Sequence, residues 1–323
     1  MLSTFLVQVG SIEVFVLSCV TYVTYAFLSG KPLVNLLSDI EKLEDKRLLK
    51  MMAFPAIHQA VINLVGGNPS NVPALLCGEK FNYTSCFDKT EKGFNTSRGS
   101  VICAIVAYLF GDYKSALQFI EICRPYENTF QTMFTYPIYV YYSGLISLEL
   151  AKYAPQRTTL IINAEEFILK LKTFADGAPM NFSNKHQLLK AEMAMLQGDD
   201  SSAKEFYGYA IELSDRHNFI LDEAVSCERA ALYHLKCNST PSACQLFERS
   251  YRCYNKWGGI GKMNQFKKKY SRYFNANCSM NLKPAFDSNL QLESSESDDC
   301  VSTLTEASST TVVTSHREKR PRF

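Results

Sequence analysis

Between Lys185 and Trp257 the chain repeats itself. A stripe made of Ala203, Phe206, Tyr207, Ala210 and Ile211 returns forty residues later as Ala243, Leu246, Phe247, Ser250, Tyr251 and Tyr254. Both stripes follow the i, i+3, i+4, i+7, i+8 spacing of one helix face about 100° wide, which cannot stay uncovered in water. The spacing predicts helices of similar length joined by short polar turns, one of them over residues 200–216. A unit of that kind is completed only by packing on its neighbours, so the repeat points to an all-α array and argues against sheets.

The positions of small residues sharpen this expectation. A tetratricopeptide hairpin needs a small residue late in its first helix and an Ala early in its second, because the two helices approach closely there. Ala191 and Ala203 fill those places in one hairpin, and Ala231 and Ala243 fill them in the next. A third unit, from Ser100 to Pro125, carries Ala104, a Gly111-Asp112-Tyr113 turn and Ala116. Further helices are expected within Lys31–Leu64 (with Pro55 starting the second), Thr132–Tyr153 and Leu160–Phe174, with a turn at Pro155. Residues 66–99 are rich in Gly, Asn, Ser and Thr and are expected to form a loop-rich insertion. Residues 1–274 thus read as one helical-repeat domain, a solenoid of antiparallel pairs. Residues 275–323, dominated by Ser, Thr and charge, read as a disordered tail. Its acidic cluster at Ser294–Asp299 and basic end at Arg317–Arg322 read first as solvated chain, with a phosphorylation site the alternative for the cluster and a localisation or contact signal the alternative for the basic end.

Composition excludes several function classes. With 34 Lys and Arg against 32 Asp and Glu in 323 residues, the formal charge is +2, which supplies no electrostatic footprint for nucleic acid. The 11 cysteines include no Cys-x-x-Cys and no pair at zinc spacing, and Cys103, Cys123, Cys227 and Cys253 fall on apolar helix faces. They read as buried thiols in a reducing, cytoplasmic setting. The sequons at Asn82, Asn95, Asn181, Asn238 and Asn277 would matter only in a secreted protein. Phe5–Leu28 is apolar enough to raise a membrane helix, at the cost of placing Glu13 near mid-bilayer. The alternative is a buried helix pair turning at Gly10-Ser11.

No chemistry-bearing pattern survives inspection. Gly258-Gly259-Ile260-Gly261-Lys262-Met263 imitates a phosphate loop. It has Lys256 where the first Gly is required and Met263 where a Ser or Thr must reach magnesium, and it follows a helix instead of a strand. His58, His186, His217, His234 and His316 are scattered, and His217 reads as a residue near a helix end. Glu165, Glu166, Glu192 and Glu205 read as solvated surface carboxylates. No catalytic, cofactor-binding or metal residue is assigned, and the chain reads as a non-enzyme.

One resemblance extends this reading. The run Ala178-Pro179-x-Asn181-Phe182-x-x-Lys185, then Ala191-Glu192, Phe206-Tyr207 and Ala210-Ile211, resembles the helical-repeat region of large signalling ATPases. Those proteins join a protein-kinase-like domain, an AAA-type ATPase and often a hybrid histidine kinase. The likeness continues through Asn218-Phe219-Ile220, Glu223-Ala224, Tyr254-x-x-Trp257-Gly258, Lys262-Met263 and Tyr270. Upstream it takes in Gly10-x-Ile12-Glu13, Ser29-Gly30-Lys31-Pro32-Leu33, Gln59 and Ser143-Gly144-Leu145, although Ser11 replaces the usual Asp. It covers about residues 8–274 and only structural positions. It implies a repeat helix, not a membrane span, at the N-terminus, and a fragment or standalone remnant that lacks the family's kinase and ATPase parts. The expected role is a non-catalytic interaction or regulatory scaffold with protein partners, kinase or ATPase signalling components among them. The alternative is a membrane-anchored adaptor using residues 5–28.

Overall fold

The structure is a computed structural model, and it describes residues 12–44, 54–66, 74–84 and 94–274. The periodic segments are helices at the expected places. They are α1 (Ile12–Leu28), α2 (Leu33–Glu44), α3 (Phe54–Val65), α4 (Phe94–Phe110), α5 (Tyr113–Cys123), the single turn α6 (Glu127–Phe130), α7 (Thr135–Leu150) and α8 (Arg157–Gly177). The series continues with α9 (Pro179–Gln197), α10 (Asp200–Arg216), α11 (Ile220–Lys236), α12 (Thr240–Trp257) and α13 (Ile260–Lys269). Among the described residues there is no strand, only an isolated bridge between Cys77 and Asn82.

The local punctuation is chemical. The side chains of Asp112 and Asp199 accept hydrogen bonds from the backbone N–H of Ser115 and Ser202, satisfying donors that a helix start leaves free. Pro179 and Pro241 occupy first turns, where no N–H is missed. At the other ends the chain enters the left-handed region at Gly198, Asn218, Asn238 and Gly258. These four stops are spaced evenly, twenty residues apart. Such a residue reverses the chain in two steps and feeds its N–H back to the last helical carbonyls. Asn tolerates the conformation better than other residues that carry a Cβ.

The small residues sit where close packing needs them. Ala104, Ala116, Ala191, Ala203, Ala231 and Ala243 are fully buried. Helices pair as α4 with α5, α7 with α8, α9 with α10 and α11 with α12, and the first members of successive pairs also touch, α4 to α7, α7 to α9 and α9 to α11. A Cβ at Gly144 would sit 2.8 Å from the side chain of Leu189, so α7 and α9 meet almost backbone to side chain.

Two features differ from the sequence expectation. Helix α4 begins at Phe94, inside the anticipated insertion. Residues 74–84 of that insertion are an ordered loop held on α3, because Gln59 Oε1 accepts from the Lys80 N–H at 3.1 Å and Asn63 Nδ2 donates to the Leu75 carbonyl at 3.2 Å. The second difference is topological. An open stack has contacts between neighbouring repeats alone, yet α13 packs on α3 and α4. A Cβ at Gly261 would lie 2.6 Å from the Asn63 carbonyl oxygen, and one at Gly258 would lie 3.6 Å from the Leu33 nitrogen. Helices early and late in the chain are therefore in direct contact.

The described part of the apolar N-terminal stretch is the 17-residue α1. It buries Val20, Val23 and Phe27 and exposes Val14, Leu17, Tyr22 and Tyr25. No described helix is long and apolar enough to cross a membrane. The turn at Gly10-Ser11 and the tail at 275–323 lie outside the described residues.

Candidate functional site

The apolar faces of α7, α9 and α11 each carry charge. Glu149 is the penultimate residue of α7. Glu192 lies in the stripe Leu188, Glu192, Met195 of α9, and Arg229 lies in the stripe Val225, Arg229, Tyr233 of α11. Helix pairing brings them together. Arg229 donates to Glu192 with Nε and Nη2, both at 2.8 Å, and Nη2 also reaches Glu149. Lys152 Nζ lies 2.7 Å from Glu149 and 3.1 Å from Glu192, and the Tyr207 hydroxyl donates to Glu192 at 2.6 Å. Glu192 is 2% exposed and Arg229 is 4% exposed.

Glu192 is thus not a surface carboxylate. Its i−4 and i+3 neighbours, Leu188 and Met195, are buried, and helical spacing alone placed it on the core face. The expectation followed its charge instead of its position. Arg229, Glu149 and Lys152 were missed for the same reason. Glu165 and Glu205 are exposed as expected.

Two smaller ion pairs extend the cluster. Lys185 meets Asp222 at 2.6 Å, and Asp222 also accepts from Asn184 Nδ2 at 3.0 Å. Lys262 approaches Glu228 at 3.3 Å, while Glu228 accepts the hydroxyls of Tyr254 at 2.8 Å and Tyr270 at 3.1 Å. Lys262 is the lysine of the phosphate-loop lookalike. Gly258 ends α12 in the left-handed region and Gly259 caps α13, so the lysine points inward to a carboxylate.

The electrostatics follow from this pairing. Burial pushes the carboxyls of Glu149, Glu192 and Glu228 upward. Their cations reverse this: Arg229 and Lys152 hold the first two below the ordinary range, and Lys262 and Lys269 do so for Glu228. Burial pulls down on the Arg229 guanidinium, and Glu149 and Glu192 raise it well above its ordinary value. The Tyr207 phenol is pushed well up by burial and then by Glu192. Glu149, Glu192 and Glu228 are ionised and already accept from a cation, so none of the three is poised to take a proton from an incoming molecule.

The four described histidines are not brought together, and His316 lies outside the described residues. His58 is buried in α3, His186 and His234 are half-buried in α9 and α11, and His217 caps the C-terminal end of α10 as expected. Among the described residues no group of three His, Cys, Asp or Glu side chains could hold a metal. Cys103, Cys123, Cys227 and Cys253 are buried thiols. Cys244, half-buried in the first turns of α12, is disulfide-bonded and departs from the expectation of thiols.

Compared with known proteins, the chain matches no family model and no curated sequence.

Proposed function

We propose that this chain is a non-catalytic scaffold, a tetratricopeptide-like array whose helix pairs bind protein partners in the cytoplasm. The observation that carries this reading is the fate of its convergent charges. Glu149 and Glu192 face Arg229 and Lys152, so the two negative and two positive groups cancel, and they are buried where a substrate would have to displace them. The inward sides of α7, α9 and α11 are filled by this cluster, so they do not form the open concave groove that helical arrays offer to peptides. Recognition then falls to the outer helices. On α8, Ile162 and Leu169 are two turns apart and 58% and 67% exposed, and Met180 at the start of α9 is 63% exposed. The resemblance to repeat regions of signalling ATPases and sensor kinases makes kinase or ATPase components the expected partners.

The test is twofold. Full-length protein is assayed for nucleotide binding and hydrolysis, and its partners are identified with and without Ile162→Glu and Leu169→Glu. The scaffold reading expects no turnover and a partner lost on substitution while helicity and unfolding midpoint are retained. Robust hydrolysis, or a partner indifferent to both changes, would overturn it.

A further inference from the structure

A narrow cleft opens beside the cluster, lined by Tyr108, Leu109, Tyr113, Val225, Glu228, Arg229 and Tyr254. It has room for on the order of one water molecule. Its walls come from the α4–α5 turn on one side and from α11 and α12 on the other. Tyr108 and Tyr113 have rings 5.5 Å apart, and Tyr108 is 5% exposed. Glu228 and Arg229 line the same cleft. Neither phenol makes a hydrogen bond to another described residue, and each is a donor at the edge of the cleft.

We propose that this cleft is a binding site for one ordered water molecule, which joins Tyr108 and Tyr113 to the ionic cluster. The chemistry of the lining selects water over other occupants. An anion would meet the ionised carboxylate of Glu228, and a cation would meet Arg229. An apolar guest would leave both phenols without a partner, and the volume admits no larger polar molecule. Water alone both accepts from the phenol O–H groups and donates to Glu228. It thereby finds the two to four polar partners that a buried water needs. The phenols of α4 and α5 then become members of the same network as α7, α9 and α11.

A crystal structure of the full chain, at a resolution that shows ordered solvent, tests the site. One well-ordered peak within hydrogen-bond distance of the Tyr108 and Tyr113 hydroxyls and of Glu228 is the expected result. The same crystals soaked in bromide should show no anomalous signal there. In a Tyr108→Phe, Tyr113→Phe variant crystallised in parallel, the peak should disappear while Arg229, Glu192 and Glu149 keep their places. A bromide signal, an empty or collapsed cleft, or a direct bond from either phenol to Glu228 would each overturn the proposal.

Discussion

Arg229 is the residue whose removal should cost most for the atoms lost. In Arg229→Met the aliphatic volume is largely kept, so the change isolates the charge. It strands Glu149 and Glu192, both buried, with Lys152 as their shared cation. Removing one member of a buried ion pair costs about 3–5 kcal/mol, because the partner left behind is uncompensated. For a folded unit of this size that corresponds to a fall in melting temperature of roughly 5–15 °C. The assay is urea and thermal unfolding of both proteins over a range of pH. In the parent, both carboxyls titrate below their ordinary value, so their stabilisation is full above that value and is lost as pH falls through the folded pKa. In the variant, burial is no longer outweighed, and at least one carboxyl should titrate above its unfolded value. That penalty is present at neutral pH and is relieved as pH falls toward about 4.3, the ordinary Glu value. The two stability curves should therefore converge in acid. Adding Glu192→Gln to the variant should recover part of the loss, with a coupling of about 0.5–3 kcal/mol. A deficit under about 1 kcal/mol, or one that does not change with pH, would refute the account of the cluster as a charge-compensated core.

Three further outcomes are expected. Stability of the parent should hold from neutral pH down to about pH 4.3 and then fall steeply as Glu149, Glu192 and Glu228 are forced to accept protons, which pH-dependent urea midpoints will show. Glu228→Leu should cost about 3–5 kcal/mol by leaving the Lys262 ammonium buried and unpaired, whereas Glu228→Leu combined with Lys262→Met should be far milder; equal losses from the two variants, measured by chemical unfolding, would contradict this. Gly208, exposed with open space around its would-be Cβ, should gain about 0.5–1 kcal/mol on change to Ala, while Gly261→Ala should lose about 1–3 kcal/mol against the Asn63 and Leu64 carbonyls, so thermal unfolding of the pair should move in opposite directions.

The helices were legible because their information is local. The 3.6-residue period, the alanine pairs at 191 and 203 and at 231 and 243, and the Gly198-Asp199 stop each specify structure within a few turns of themselves. The left-handed Asn218 and Asn238 were equally local and were overlooked, although they fall at regular twenty-residue steps between Gly198 and Gly258. What the chain does not spell out locally is which charges are buried. Glu192 and Glu205 have the same side chain, and only the residues at i−4 and i+3 separate a core position from a solvated one. The contact of α13 with α3 and α4 is less legible still, since it joins residues about two hundred positions apart through glycines that leave no periodic trace. Three of the charged residues that carried the resemblance, Lys185, Glu192 and Lys262, are buried ion-pair members. Their pattern speaks of packing and is silent about chemistry.

The spacing of the charge partners along the chain bears on how the protein is made. Glu149 is synthesised 80 residues before Arg229, and Glu192 is synthesised 37 residues before it. Lys185 precedes Asp222 by 37 residues, and Glu228 precedes Lys262 by 34. Emerging from the ribosome, Glu149 and Glu192 have Lys152 as their one shared cation until Arg229 arrives, and Lys185 and Glu228 must stay in water until Asp222 and Lys262 follow, since desolvating a charge without full compensation is prohibitive. The early helices can form one at a time, but their final packing waits for α11 and α13. A nascent chain halted just after α10 should therefore stay loosely assembled and open to proteases, even with all the apolar surface of its first ten helices already present.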